Sequence, residues 1–345
     1  MNVLIVNNLA PFVWGGAEEL ALNLEKALIE AGHDAETLRI PFQWEPSSGI
    51  AAQMLMVRSM ELWNVDRVIA LKFPAYLIRH PHKTLWLVHQ YRQAYDLFEA
   101  GQSNIPQNAA GDELRAVIRN ADNESFAECR GMYTISEVTQ RRLAHFNGLH
   151  ADVLLPPLND AQMFVGASPG DYILAAGRIN LMKRQHLLVE AMRHADAGVR
   201  LRVVGPPDSP ADGERLVELV ERHGLGDRVE LVLGFLPRQD YANHVNHARA
   251  VAYVPFDEDA MSYVMVEAAT AGRPLLTTSD SGGLLNLVRH DDTGFVVEPD
   301  PQALGRALSK LWSGGSKGAE LGRSARARWL GMNVTWQSTV ETLLA

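Results

Sequence analysis

Short, wholly apolar runs alternate with longer amphipathic stretches along this 345-residue chain, and that alternation is what most restricts its fold. Val3–Val6 is a continuous apolar run, followed by a loop and a helical pattern over Ala17–Ala31 that Gly32-His33 closes. Arg67–Leu71, Thr84–Val88, Met132–Ile135 and Asp152–Leu155 read as further strands. Strands that are apolar at every position, separated by helical segments, belong to a parallel sheet covered on both faces. The pattern breaks at residues 156–170 (PPLNDAQMFVGASPG), a stretch rich in Pro, Gly, Ser and Asn. A second series follows, with strands at Tyr172–Ala176, Leu201–Val204, Val229–Leu233, Ala250–Val254, Pro274–Thr277 and Phe295–Val297. Its clearest helical patterns are Gln185–His194, Gly213–His223 and Met261–Ala271. Two such series around one linker predict an α/β chain of two doubly wound, Rossmann-like domains, 1–160 and 161–328. The stretch from Asn333 reads as a final amphipathic helix through Val334, Trp336, Val340, Leu343 and Leu344, which sets 329–345 apart as a terminal segment. In such folds ligands lie at the carboxyl ends of the strands, so a ligand shared by two domains is expected in the cleft between them.

Composition narrows the class. At roughly 150 residues per domain the length alone suggests about two domains. Hydrophobic residues are 47% and charged residues 21% of the chain, enough apolar material for sizeable cores. Asp and Glu number 41 against 32 Lys and Arg, a formal charge of -9 that argues against a bulk electrostatic grip on nucleic acid. The single cysteine, Cys129, can form neither a disulfide framework nor a Cys-rich zinc site, which favours a reducing compartment. No apolar run reaches the roughly 18 residues of a membrane span. The opening MNVLIVNN lacks the basic start of a signal peptide. The expectation is a cytoplasmic protein.

Three loops carry residues suited to chemistry. Gly15 and Gly16 precede the first helix, where backbone N–H groups and the helix dipole favour an anion or a sugar hydroxyl. A plain strand-to-helix turn would look the same, and the spacing is not G-x-G-x-x-G, which disfavours a nicotinamide-dependent oxidoreductase. After Tyr172–Ala176 come Gly177, Arg178 and Lys183, two cations at the entrance to a helix. Arg can grip a phosphate through two N–H groups and Lys acts as a point charge, so a diphosphate suits the pair; a solvated basic turn is the bland alternative. The third stretch holds Asp257, Glu258 and Asp259 and then a helix containing Glu267 among apolar neighbours. A buried carboxylate there needs donors, which sugar hydroxyls would supply; an exposed helix face is the plain reading of Glu267, and favourable placement at a helix start is that of the acids.

Taken in order, the Gly15-Gly16-Ala17-Glu18 turn, Gly177-Arg178 with Lys183, the acidic loop with Glu267, Ala271-Gly272 with Pro274, Ser279–Gly283 (SDSGG) and Thr293-Gly294-Phe295 resemble the family 4 retaining glycosyltransferases of the GT-B fold, glycosyltransferase group 1. The resemblance runs over nearly the whole chain. It implies transfer of a sugar, with retention, from a nucleotide-diphosphate sugar (a UDP-sugar in preference to a GDP-sugar) to an acceptor hydroxyl. It implies no metal and no cofactor beyond that donor. Arg178 and Lys183 would hold the diphosphate, Glu267 the ribose hydroxyls, and Asp259 the donor sugar. Backbone groups of Ala260, Met261, Ser262 and Tyr263 would line the sugar and phosphate pocket, and Gly16 would approach the donor from the first domain. The base would lie near Gly234, Phe235 and Leu236. His89, after the strand Thr84–Val88, matches the family's histidine that faces the reacting sugar; a strand-end histidine satisfied by backbone is its plain alternative. Lys72-Phe73-Pro74 and Tyr91-Arg92 become acceptor-side candidates. The final helix, anchored by Trp336, would pack on the first domain, and the two domains would close for chemistry.

Two positions depart from the family pattern. Asp259 stands where Glu is usual and is one methylene shorter, and Asn286 stands where Glu often follows the Gly-Gly pair. They keep two alternatives in view, a catalytically silent nucleotide-sugar-binding protein and a sugar epimerase of the same fold. His244 and His247 share a helix face without an evident third zinc ligand. Cys129 reads as a small buried hydrophobe. Arg141-Arg142 leaves a weak peripheral membrane contact open, with a solvated face the simpler reading. Acceptor and oligomeric state are not readable, and no stable nucleic-acid partner is expected.

Overall fold

The computed structural model describes all 345 residues. Contacts divide the chain into one unit of Met1–Pro157 with Val334–Ala345 and a second of Leu158–Asn333.

The first unit contains β1 (Asn2–Leu9), α1 (Gly16–Glu30), β2 (Asp34–Pro41), α2 (Ile50–Arg58), β3 (Arg67–Lys72), β4 (Lys83–His89), α3 (Asp96–Glu99), α4 (Ala109–Ala127), β5 (Gly131–Thr134), α5 (Glu137–Asn147) and β6 (Asp152–Val153). The sheet order is β2-β1-β3-β4-β5-β6, and each pair is parallel. β2 was not foreseen. As the edge strand it has one neighbour, and its sequence DAETLRIP carries no continuous apolar run because much of it meets solvent. Parallel pairing with β1, from Asn2↔Asp34 to Leu9↔Pro41, places it without that signal.

The second unit contains β7 (Ile173–Ala176), α6 (Gln185–Ala191), β8 (Leu201–Gly205), α7 (Pro210–Arg222), β9 (Val229–Leu233), α8 (Arg238–His247), β10 (Ala250–Ala252), α9 (Tyr263–Thr270), β11 (Leu275–Thr278), β12 (Gly294–Val297), α10 (Pro301–Ser313) and α11 (Gly315–Gly331). Its order, β12-β11-β10-β7-β8-β9, is that of a doubly wound sheet, with the winding reversing between β7 and β10. On the other side of β7, the ends of β7 and β8 come very close. Gly177 and Gly205 have φ of 114° and 148°, and a Cβ on Gly205 would lie 2.1 Å from the Gly177 carbonyl oxygen. Only glycine permits that approach.

Each sheet has its own core. In the first unit Phe73, Tyr76, Leu85 and Leu87 are buried with Phe126 and Leu143 from the helices; in the second, Ile173, Ala175, Val203 and Ala252 pack with Leu188, Leu216 and Leu308. Helix α12 (Trp336–Leu344) belongs to the first unit, and the chain returns there at Val334, later than the 329 expected from the sequence, because α11 continues to Gly331. Trp336 meets Trp86 edge-to-face at 6.4 Å, and the Trp86 indole donates to the Leu154 carbonyl at 2.8 Å. Val340 and Leu343 are buried beside it. No helix is long and apolar enough to cross a membrane.

Because Trp336 caps a core tryptophan, Trp336→Ala should cost about 2 kcal/mol of first-unit stability, somewhat less than a fully buried Trp truncation. Urea unfolding measures this, and a loss below about 0.5 kcal/mol would mean that α12 contributes little to the unit.

Candidate active-site residues

In the second unit the candidate residues gather where the sheet reverses. Gly177 ends the turn out of β7, and Arg178 follows it. The Arg178 guanidinium donates from Nε and Nη2 to Asp208, at 2.8 and 2.6 Å, and Asn180 Nδ2 donates to the same carboxylate at 2.8 Å. Asp208 comes from the end of β8, so a neighbouring strand aims the arginine. The Lys183 ammonium pairs directly with the Glu258 carboxylate and lies 5.8 Å from the Tyr253 ring centre. Burial alone would lower the ammonium pKa; Tyr253 and Glu258 outweigh it and hold the group above its ordinary value. The Tyr253 phenol is pushed up to about 12 by burial and by Glu258. The sequence reading singled out both cations and named Glu258 among the acids of its loop, but it paired neither cation with its carboxylate, since these partners are 30 and 75 residues away.

Arg184, next to Lys183, is a structural clamp. It caps α6 at φ 55° and donates to the carbonyls of Val254 (2.7 Å) and Pro255 (2.9 Å) and to both oxygens of Asp280 (2.8 and 2.7 Å). The β7 loop is thereby fastened to the ends of β10 and β11.

The acidic loop after β10 leans on the SDSGG turn. Asp257 N–H donates to the Asp280 carbonyl at 2.9 Å, and Gly283 N–H to the Glu258 carbonyl at 2.8 Å. A Cβ on Gly282 (φ 63°) would lie 2.4 Å from the Glu258 carbonyl oxygen, so the glycine lets the two loops touch. Asp259 and Ala260 are half-buried, Met261 is buried, and Ser262 at φ 51° opens α9, which Tyr263 begins. Asn286, the other departure from the family pattern, is held through its carbonyl by Arg328 of α11 at 2.9 and 2.7 Å.

Glu267 does not lie on an exposed helix face. It is 2% exposed, with Oε1 accepting from Arg238 Nη1 at 2.6 Å and Oε2 from the Tyr241 hydroxyl at 2.7 Å. Both donors come from α8 and were not identified from sequence. Burial raises the Tyr241 phenol well above its usual value, with the Glu267 charge adding to it, so it remains a donor. Phe235 and Leu236 lie between β9 and α8, and the Phe235 side chain is largely exposed.

In the first unit Gly15 is extended and Gly16 starts α1. The Glu18 carboxylate folds back onto the Gly15 N–H at 3.0 Å, so the first turn already carries an acid on its donors. His89 ends β4, in register with Lys72 of β3. Its Nδ1 is 2.6 Å from the Gln90 carbonyl. A carbonyl can only accept, so Nδ1 carries a proton.

The acceptor-side candidates separate. Phe73 and Tyr91 are core residues, 2% and 7% exposed and stacked at 5.0 Å, and are corrected to packing roles. Arg92 donates to Asp96 at 2.8 and 2.6 Å, and Arg142 approaches the same carboxylate at 3.5 Å. The expected Arg141-Arg142 basic face is also corrected. Arg141 is exposed beside Glu137, whereas the Arg142 side chain is 10% exposed, because neighbours in a helix point about 100° apart. Cys129 is partly buried rather than fully so; burial raises its thiol to about 11. His244 faces Arg202 and His247 the Asn243 carbonyl, so the two rings answer to different partners.

Comparison with known proteins follows this geometry. Residues 162–328 match the sequence model of the family described as glycosyl transferases group 1. A D-inositol 3-phosphate glycosyltransferase from Xylanimonas cellulosilytica is 34% identical over 157 residues, 45% of this chain and 37% of that protein. Its namesake from Jonesia denitrificans is 28% identical over 262 residues, 70% of this chain and 58% of that one. This chain thus spans well under two thirds of the length of these relatives. Among solved structures, sucrose-phosphate synthase from Thermosynechococcus elongatus has a TM-score of 0.76 at 18% identity, covering 99% of this chain and 97% of that one. Anabaena HepE in complex with UDP-glucose gives 0.74 at 17%, covering 99% and 98%. The chain has the GT-B fold, and the part of its second unit that holds the paired cations and the buried Glu267 is similar to the group 1 glycosyl transferases over residues 162–328.

Proposed function

We propose that this protein is a retaining glycosyltransferase that takes a sugar from a nucleoside diphosphate sugar, UDP in preference to GDP, and transfers it to an acceptor hydroxyl without a metal. One observation carries the reading: Arg178 and Lys183 stand at the reversal of a nucleotide-binding sheet, each already oriented by a carboxylate, within the segment that matches the family. The leaving diphosphate gains negative charge as the glycosidic bond breaks. Cations fixed before the reaction stabilise that charge without reorganising, which is the largest contribution in many enzymes. On this reading they supply what a divalent ion supplies elsewhere, so no metal is required.

The remaining assignments follow the same logic. Glu267, an acceptor held at both oxygens, receives the ribose hydroxyls through its remaining lone pairs. Asp259 and the backbone of Ala260, Met261, Ser262 and Tyr263 orient the donor sugar, Gly177 gives the diphosphate close access to backbone, and Phe235 and Leu236 flank the base. Gly15, Gly16 and His89 are assigned to the reacting sugar. With Nδ1 turned to the Gln90 carbonyl, Nε2 is the His89 ring atom assigned to the reacting sugar. Retention follows from a same-face displacement in which the departing phosphate accepts the acceptor's proton. The preference for UDP is supported by the solved relative that binds UDP-glucose. Relatives named for inositol 3-phosphate favour a polyol phosphate as the first acceptor to try.

Purified protein offered UDP- and GDP-sugars in EDTA tests the proposal, with product configuration read by NMR. Turnover should persist in EDTA, and Arg178→Ala and Lys183→Ala should each lower kcat/KM at least about 100-fold, equivalent to about 2.7 kcal/mol of transition-state stabilisation. Unchanged rates in both variants would exclude the diphosphate assignment; product from the donor alone would indicate an epimerase, and binding without turnover a silent sugar-nucleotide protein.

Tyr241→Phe removes one hydrogen bond from Glu267 without removing the ring. It should raise the donor KM about 5-fold, with little change when a donor analogue lacking the ribose hydroxyls is compared. An equal effect on both donors would remove Glu267 from ribose binding.

A further inference from the structure

A chain of buried polar groups runs to His89 from a carboxylate that the proposed reaction does not use. Asp122 of α4 is fully buried, and its Oδ2 accepts from the Tyr95 hydroxyl at 2.7 Å. That hydroxyl lies 3.5 Å from Asn147 Nδ2 of α5, and Asn147 Oδ1 accepts from Gln90 Nε2 at 2.9 Å. Gln90 is 2% exposed, and its carbonyl accepts from His89 Nδ1 at 2.6 Å. Every side-chain donor in the series points toward Asp122. The three side-chain bonds, aligned in one direction, polarise one another toward the terminal carboxylate, and the run reaches His89 by fixing Gln90, whose carbonyl holds the imidazole. Asn147 is also braced by Asn123 Oδ1 at 2.6 Å. Burying an acid this deep is costly, and its persistence without any cationic partner in hydrogen-bond contact calls for a role.

We propose that Asp122, Tyr95, Asn147 and Gln90 are positioning residues that together fix the orientation and tautomer of the His89 imidazole. This rests on the assignment of His89 to the reacting sugar made above. None of the four is a catalytic residue; they act through His89. Without the Gln90 carbonyl in place, nothing in the run would hold the proton on Nδ1 and aim Nε2.

The run also responds to pH. Burial raises the Asp122 carboxyl from 3.8 to about 7, with the Tyr95 and Tyr76 hydroxyls pulling it back. The groups around it are Tyr95 on the 91–95 turn, Tyr76 on the turn after β3, Arg119 on α4 with its guanidinium 5.8 Å from the Tyr95 ring, and Asn147 on α5. Lys83 of β4 donates to the Tyr76 carbonyl at 3.0 Å, and Arg115 to the Ala94 carbonyl at 3.0 Å. His145 of α5 meets Phe146 edge-to-face at 4.6 Å, and Phe146 in turn meets the Tyr95 ring at 5.3 Å. Asp122 Oδ1 and the Tyr76 hydroxyl are both buried and influence each other without a well-formed hydrogen bond, so the acid end is where the run can change. Ionisation strengthens the terminal acceptor, so the run is tightest above pH 7. The folded pKa is raised, so the carboxyl's stabilising contribution is present below its unfolded value near 4 and is lost as pH rises to about 7.

The test uses the full chain with 15N-labelled histidine. In the wild type, His89 should show a protonated Nδ1 whose exchange with water slows about 3-fold as pH passes through 7. Tyr95→Phe, and separately the less buried Asn147→Ala, should speed that exchange about 10-fold and lower kcat about 5- to 20-fold, with donor KM within 2-fold. Asp122→Asn should remove the pH step in exchange and melt higher than wild type by a margin that grows from pH 4 to 7 and is level above. If His89 exchange is unchanged in both Tyr95→Phe and Asn147→Ala, the positioning role is wrong. If exchange responds while kcat does not, the run positions His89 but the catalytic reading of His89 fails, which overturns the proposed consequence for turnover.

Discussion

All strand pairs in both sheets are parallel, and most of what matters here follows from that. A parallel pair cannot be joined by a tight hairpin, so each strand is followed by a crossover that covers a face of the sheet. Every strand then delivers its following loop at one edge. Where the winding reverses, two such loops leave in opposite directions and a space opens between them. In the second unit that reversal lies between β7 and β10, whose following loops carry Arg178, Lys183, Glu258 and Asp259. Beside it, the glycines at 177 and 205 let the ends of β7 and β8 approach closely, because a side chain on Gly205 would occupy the position of the Gly177 carbonyl.

Electrostatics is organised locally. The chain carries nine more acids than bases, yet the groups suited to a diphosphate are cations. Each cation is matched by its own carboxylate, Asp208 for Arg178 and Glu258 for Lys183, and each carboxylate is fixed by another element. A cation aimed by a neighbouring acid keeps its geometry between turnovers, and its charge is partly compensated until a stronger anion arrives. Glu267 shows the same arrangement with reversed sign, a buried acid aimed by the guanidinium of Arg238 and the phenol of Tyr241. Arg184 is a different case. Although it adjoins Lys183, its five polar contacts go to the scaffold, which shows why proximity in sequence does not assign a shared role.

What the sequence made legible was whatever repeats along the chain. Apolar runs located the covered strands, and glycine and cation positions after strands located the loops at the sheet edge. What it hid was of two kinds. β2 was invisible because an edge strand does not need a continuous apolar run, and its register comes from β1. The partners of the candidate residues were invisible because they are set by long-range packing: Asp208 lies 30 residues from Arg178, and Glu258 lies 75 from Lys183. Arg141 and Arg142 show a third limit. Adjacent letters suggested one basic face, but helix geometry turned one to solvent and the other toward Asp96.

The buried run to His89 extends the same logic to the first unit. A strand-end histidine sits where the β-ladder stops, so its ring orientation is set by the groups around it. Here Gln90, the next residue, is fixed through its side chain while its carbonyl fixes the histidine, so one residue couples a helix-borne amide to an imidazole tautomer. A buried acid at the far end contributes little to stability at neutral pH, since ionising it is what burial opposes. A leucine or asparagine at 122 would spare the unit that cost. An acid there is better explained by what it does to the donors that point at it, which is to turn a set of separate hydrogen bonds into one aligned run.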